Sequence, residues 1–212
     1  GEIDFSTLLE RINALPGDFR IRFMTSHPKD ATEKLFDTMA KCEKVSKHIH
    51  LPFQSGSDRI LKLMNRRYDN AKYRELVAYA RSKMPDISLT SDVIVGFPGE
   101  TEEDFDETIK LVSDIGFDGL FVFIYSKRSG TPAAEMDDPT PRAEKVARFQ
   151  KLFDVHEEGT RERSRRLIGS EVEVLVEGVA EDERGYNLVA RTDGNRPISL
   201  KGDASLVGSF VK

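Results

Sequence analysis

The chain has 212 residues, room for one medium domain and a small one, with 38% hydrophobic and 33% charged residues and a formal net charge of -5. No apolar run approaches the ~20 residues a bilayer-spanning helix needs, and the acidic, amphipathic first residues do not read as a signal peptide, which argues against membrane and export classes. Cys42 is the only cysteine, so intrachain disulfides are excluded and a reducing, cytoplasmic setting is expected.

Residues 5 to 14 pattern as a short helix ended by Pro16 and Gly17. A strand is expected from Arg20 to Met24, followed by Ser26-His27-Pro28 and a helix over roughly 30 to 42. The pattern then repeats. A strand at 47 to 52 runs into the loop "FQSGS", a helix capped by Ser57, and a second helix from about Asn70 to Lys83. The third strand enters "DVIVGFPGETEE", residues 92 to 103, in which Val93, Ile94 and Val95 suit a strand buried on both faces. Thr101 caps the next helix with Asp104 at the capping-box position, and that helix runs to Ile115. A fourth strand is expected over 119 to 125.

Strands alternating with helices predict a parallel sheet of right-handed βα units. The loops "TSHP", "QSGS", "GFPGE" and "SKRSGT" then fall on the carboxyl edge of the sheet, where such folds bind ligands. The glycine turn at Gly96 and Gly99 is not a phosphate loop. It lacks the Lys and Ser/Thr of that motif, and Glu100, Glu102, Glu103 and Asp104 would repel a phosphate while favouring the helix dipole. A phosphate-free purine nucleoside fits better, and a plain tight turn with no ligand is the alternative.

The segment "DDPTPRAEK" marks a composition break. Beyond it a long helix is expected over about 141 to 168, with Val146, Phe149 and Phe153 on one stripe and Arg161, Arg163, Arg165 and Arg166 at its end. From residue 170 the period changes to two, and "YNLVART", "RPISLKG" and "GSFVK" follow as short strands of a small antiparallel barrel-type module. The expected units are therefore 1–140, a connecting helix 141–169, and 170–212. His48 and His50 share a strand face without a third ligand at a useful spacing, so no metal site is expected.

The segments "RIRFMTSHP", "HLPFQSGSDRILKLMNR", "SDVIVGFPGETEEDF" and "FIYSKRSGTPAAEM", in that order, resemble the motifs of the radical S-adenosylmethionine methylthiotransferases. "TSHP" favours the branch that makes 2-methylthio-adenosine in tRNA over the sister branches acting on threonylcarbamoyl-adenosine or a ribosomal protein. The tail is similar to the RNA-binding TRAM module. The resemblance implies an α/β fold, the last four strands of a partial parallel (β/α)6 barrel followed by that antiparallel module. It also implies S-adenosylmethionine as cofactor and 4Fe-4S clusters held by a Cys-x3-Cys-x2-Cys loop and a further domain. This chain contains neither, so it is expected to be the C-terminal part of a longer enzyme, inactive alone and partnered by its missing N-terminal region.

On the same resemblance Asp92, Ile94, Gly96, Gly99 and Glu100 would surround the adenosine, and Gln54 and Ser55 would face the ribose or amino-acid end. Arg66 would pair the methionine carboxylate through its guanidinium fork. His27, Ser126, Arg128 and Thr131 would complete the rim toward substrate. Arg163, Arg166, Arg191 and Arg196, with Lys201, would form a basic stripe for a tRNA anticodon stem-loop, and Tyr186 and Asn187 would meet a loop base. The rival reading is a non-catalytic RNA-binding module on a degenerate barrel. A radical enzyme acting on a small molecule is disfavoured by the β-module.

Overall fold

The computed structural model describes residues 3–24, 27–165 and 167–212. Helix α1 (Phe5–Asn13) starts at Asp4, whose carboxylate accepts the Thr7 N–H at 2.8 Å. Residues 20 to 24 do not form the expected strand. They pair with the chain only through one parallel bridge, Ile21 to Val45, because their partner is the segment just ahead of the sheet and offers a single rung. Residue alternation persists there all the same: Ile21 and Phe23 pack on the core while Arg20 and Arg22 reach the other way.

Helix α2 (Glu33–Lys41) follows a short 3-10 turn at Pro28–Asp30 and is capped by Thr32, a shorter span than expected. Strand β1 (His48–His50) leads to α3 (Asp58–Leu63) and α4 (Asn70–Lys83). Ser57 stands at the α3 N-cap but makes no side-chain cap, because its hydroxyl is drawn to Asp104 instead, at 2.6 Å. Strand β2 (Ser88–Val95) and helix α5 (Glu102–Ile115) follow as expected, with Thr101 and Asp104 closing a full capping box and Gly116 ending the helix at φ 66°.

Strand β3 (Gly119–Ile124) completes a parallel sheet of order β1-β2-β3. Among the described residues the parallel sheet therefore has three strands, with one outlying bridge at Ile21 in place of the expected first strand. Nor is β2 buried on both faces. Its residues alternate, with Leu89, Ser91, Val93 and Val95 under the helices and Thr90, Asp92 and Ile94 on the half-exposed inner face. Phe121 and Phe123 of β3, in register with Asp92 and Ile94, are 56% and 53% exposed on that same inner face. Helices α2, α4 and α5 bury the outer face over a core that includes Phe36, Phe53, Tyr73, Phe105 and Phe117.

Helix α6 (Arg142–Arg165) departs from expectation in its buried side. The residues turned inward are Lys145, Arg148, Leu152 and His156, spaced three or four apart, whereas Val146 and Phe153 are exposed. The antiparallel module is as expected: β4 (Val174–Val179), β5 (Leu188–Thr192), β6 (Pro197–Leu200) and β7 (Phe210–Val211) pair in the order β6-β5-β4-β7. Its small core is Val174, Val176, Leu188 and Ala190.

Candidate functional site

The loops at the carboxyl edge of the parallel sheet touch one another in sequence. His27 stands edge-on to Tyr68 at 5.4 Å, and Leu63 Cδ1 lies 3.9 Å from where a Gly99 Cβ would be. Phe97 meets Tyr125 at 5.3 Å. The edge therefore gathers the segments around residues 27, 54, 66, 96 and 126. The Thr25 and Ser26 part of "TSHP" lies outside the described residues.

The glycine turn is built by backbone demand and by two buried ion pairs. Gly96 and Gly99 have φ of 69° and 80°, conformations that cost a residue with a Cβ. The Glu100 carboxylate folds back to accept the Gly96 N–H at 3.0 Å and the Arg148 guanidinium at 2.8 Å. Both side chains are nearly sealed, at 2% and 6% exposure, and burial pushes the Glu100 carboxyl up despite the Gly96 and Arg148 hydrogen bonds that oppose it. The aliphatic stem of Lys145 lies where a Gly96 Cβ would go, 2.5 Å from it, and its ammonium pairs Asp138 at 2.6 Å. Arg148 and Lys145 were not among the expected site residues; their signal was a charged i, i+3 pair on the inward side of α6.

The neighbouring loop is fixed as firmly. Gln54 has φ 67° and bridges to Val93, donating its N–H to the Asp92 carbonyl and accepting the Ile94 N–H. The Ser55 hydroxyl accepts the Ser57 N–H, and Gly56 presses so closely on α5 that its N–H reaches Thr108 Oγ1 at 2.9 Å. Asp104 holds this corner by accepting Ser57 and the Arg59 guanidinium. Burial would raise its carboxyl, yet those hydrogen bonds and Thr101 keep it well below the usual carboxylate range.

Of the other expected residues, Arg66 is half-buried on this edge, and its guanidinium meets no hydrogen-bonding or ionic partner among the described residues. Ser126 and Arg128 are exposed, and Thr131 closes a turn on the Arg128 carbonyl with Gly130 at φ 79°. Asp92 lies on the inner face 3.4 Å from His50 Nε2, and Thr90 bridges the rings of His48 and His50 at 3.0 Å each. Burial, with His50 beside it, holds the His48 imidazole down to about 4.

The basic stripe is not assembled as expected. Arg166 lies outside the described residues. Arg163 donates to the Phe117 carbonyl and faces Asp118 at 3.7 Å; Arg196 reaches Ser164 at 2.7 Å and Asp118 at 3.4 Å. Arg191 pairs Glu177, and Arg20 is clasped by Asp193 at 2.5 Å while lying over the Phe210 ring. Asp118, Ser88, Ser46 and Arg20 mark the amino ends of the parallel strands, so the β-module is docked there, at the opposite edge from the glycine turn.

The residues present fit a nucleoside with a carboxylate: glycines at positive φ beside an open apolar surface, and the unpartnered guanidinium of Arg66. They do not fit an iron–sulfur cluster. Cys42 is buried at the end of α2, and no group of three His, Cys, Asp or Glu side chains among the described residues could hold a metal ion.

The family model of the radical SAM superfamily matches residues 2–112, and that of the TRAM domain matches residues 165–212. The chain is 49% identical over 207 residues to the tRNA-2-methylthio-N(6)-dimethylallyladenosine synthase of Acetivibrio thermocellus, covering 98% of this chain and 43% of that protein. It is 46% identical over 213 residues to the synthase of the same name from Nitrosospira multiformis, covering 100% and 45%. It thus spans less than half the length of these relatives. Coproporphyrinogen III oxidase from Escherichia coli, a radical SAM enzyme, superposes with a TM-score of 0.52 at 22% identity, over 63% of this chain and 31% of that chain, a likeness of fold alone.

Proposed function

This chain belongs to the radical SAM superfamily, and from that premise we propose that it is the cofactor-orienting and RNA-facing part of a cytoplasmic tRNA methylthiotransferase. The substrate proposed is an N6-isopentenyl-type adenosine beside the anticodon, on which the longer enzyme places a methylthio group at C2. The observation that carries this reading is the near-complete coverage of this chain by synthases of that name, at 44% to 49% identity. No helix among the described residues is long and apolar enough to cross a membrane.

The 4Fe-4S clusters belong to the part of the enzyme outside this chain, since the residues here cannot ligate one. When bound, S-adenosylmethionine supplies the radical that abstracts hydrogen; this chain orients it. Ile94, Gly96 and Gly99 form the floor for the adenine, Gln54 and Ser55 hold the adjoining loop, and Arg66 receives the carboxylate. Glu100 shapes the floor through the Gly96 N–H rather than by meeting ligand. His27, Ser126, Arg128 and Thr131 sit on the rim facing the substrate.

The test is S-adenosylmethionine binding by the full-length protein with its clusters in place. Arg66→Ala removes a charge-assisted hydrogen bond and is expected to weaken binding about tenfold to a hundredfold. Unchanged affinity in both Arg66→Ala and Ile94→Ala would refute the pocket.

A further inference from the structure

Helix α6 turns four residues inward, and two of them are the cations Lys145 and Arg148. A buried cation is costly unless it is paired, and even a paired one often stabilises a fold no better than apolar side chains of the same volume. What a buried ion pair can supply instead is a single defined geometry. The partners of these two cations show which geometry is defined.

Both face the glycine turn. The Arg148 guanidinium, 6% exposed, donates to Glu100 Oε1 at 2.8 Å and, from the same nitrogen, to the Glu100 carbonyl oxygen at 3.1 Å. Its other terminal nitrogen is held by Glu144 of α6 at 2.6 Å. Glu100 Oε1 is also the atom that accepts the Gly96 N–H, at 3.0 Å. One carboxylate oxygen therefore joins α6 to the first residue of the turn, while the Glu100 N–H closes the turn on the Phe97 carbonyl at 2.9 Å. Three residues earlier on α6, the Lys145 stem occupies the space beside Gly96, and its ammonium takes both oxygens of Asp138 at 2.7 and 2.6 Å. The helix thus meets the turn at both ends. Gly96 and Gly99 bring glycine's conformational freedom to that turn, so its shape depends on the contacts that hold it.

We propose that Arg148 is a positioning residue: through Glu100 it holds the 96–100 turn in the conformation that receives the nucleoside end of the cofactor. The guanidinium is sealed and meets no ligand itself. The inference rests on the pocket reading above and extends what that pocket requires to a helix outside the edge loops.

The experiment uses the full-length protein with its clusters in place and reads S-adenosylmethionine affinity together with amide exchange. Arg148→Met alone strands the Glu100 charge, so the decisive variant combines Arg148→Met with Glu100→Gln, which removes that charge and keeps an acceptor for the Gly96 N–H. Affinity is expected to fall about tenfold, the scale of one lost hydrogen bond. Exchange at the Gly96 amide should quicken while α5 and α6 stay protected. Arg148→Lys keeps a cation for Glu100 and should recover part of both effects. Leu152→Ala, fully buried one turn further along α6, is the control for general loosening: it should destabilise the fold and leave affinity as in the wild type. Wild-type affinity or unchanged Gly96 exchange in the double variant, or equal weakening in Leu152→Ala, overturns the inference. If Ile94→Ala still weakens binding in that case, the pocket reading stands without it. Wild-type affinity in the double variant, Arg66→Ala and Ile94→Ala alike would remove the pocket reading and the inference together.

Discussion

The two edges of the parallel sheet use the same residue types for opposite ends. At the amino edge, partly exposed arginines and carboxylates pair across a joint: Arg196 and Asp118 keep 27% and 22% of their side chains in solvent. At the carboxyl edge, Arg148 and Glu100 are sealed at 6% and 2%, and their pairing sets the conformation of a turn rather than a joint between modules. Solvent screens the first kind of pair and leaves it worth little; the second is costly to break because a buried charge is left alone.

The sharpest way to break this comparison is to cut one pair at each edge. Arg148→Met leaves Glu100 buried and unpaired, and is expected to cost about 3 to 5 kcal/mol in denaturant unfolding. Adding Glu100→Gln should restore a large part of that loss, since the stranded charge is then removed. Arg196→Ala at the joint is expected to cost about 1 kcal/mol or less. Equal losses at the two edges would mean that burial is not what separates them.

Packing at the carboxyl edge gives the next largest effect. Gly56 is not among the glycines at positive φ, so it is space that demands a glycine there. A Cβ would run into the Thr108 Cα and come within 2.6 Å of the Glu107 carbonyl oxygen, both backbone atoms that cannot swing aside. Gly56→Ala is expected to cost about 1 to 3 kcal/mol, as the loop lifts from α5 and forfeits the hydrogen bond to Thr108. Gly194→Ala, whose Cβ would meet the Ser88 side chain at 3.1 Å across the module joint, should cost less in the same unfolding measurement. A reversed order would show the joint to be the tighter contact.

Local chemistry explains what could be read without a structure. The β2–α5 unit was legible because strand, glycine turn and capping box are adjacent in sequence and each dictates its own geometry, as Thr101 and Asp104 show. Arg20 to Met24 failed as a strand because pairing depends on a neighbour, and there the neighbour offers one rung. On α6 the apolar stripe of Val146, Phe149 and Phe153 held only in part: Phe149 packs against the core while Val146 and Phe153 stay exposed, since burial there follows the carboxylates of Glu100 and Asp138, distant or unremarkable in sequence. The arginines at 163, 191 and 196 read as an RNA stripe for the same reason: their partner Asp118, and Glu177 across the strand pair, are fixed only by tertiary packing. The segments around residues 54, 66, 96 and 126 lie on one edge, as their place after the strands implied, and the Arg66 guanidinium has no hydrogen-bonding or ionic partner among the described residues.

The smallest expected effect separates the edges by pH. His48 lies at the amino end of the inner face, and burial, with repulsion from His50, holds its imidazole down to about 4; Asp118 pulls the other way, while Arg22 and Arg191 push it further down. Its unfolded value is about 6.5, so across that interval the unfolded chain binds the proton more readily than the folded one. The stabilisation is therefore complete above pH 6.5, is lost as the pH falls toward 4, and changes no further below. Between pH 7 and pH 5 the loss should be of order 1 kcal/mol, and His48→Gln should flatten it. At the carboxyl edge the corresponding group is Asp104, held below the ordinary carboxylate range, so its contribution is complete above about pH 4 and is lost progressively only as the pH falls below that. Amide-exchange protection, corrected for the intrinsic pH dependence, should thus fall around His48 and Ser88 at pH 5 while Gly96 and Glu100 stay protected. Simultaneous loss at both places would tie the two edges into a single cooperative unit, and the division of labour between them would then lie in charge alone.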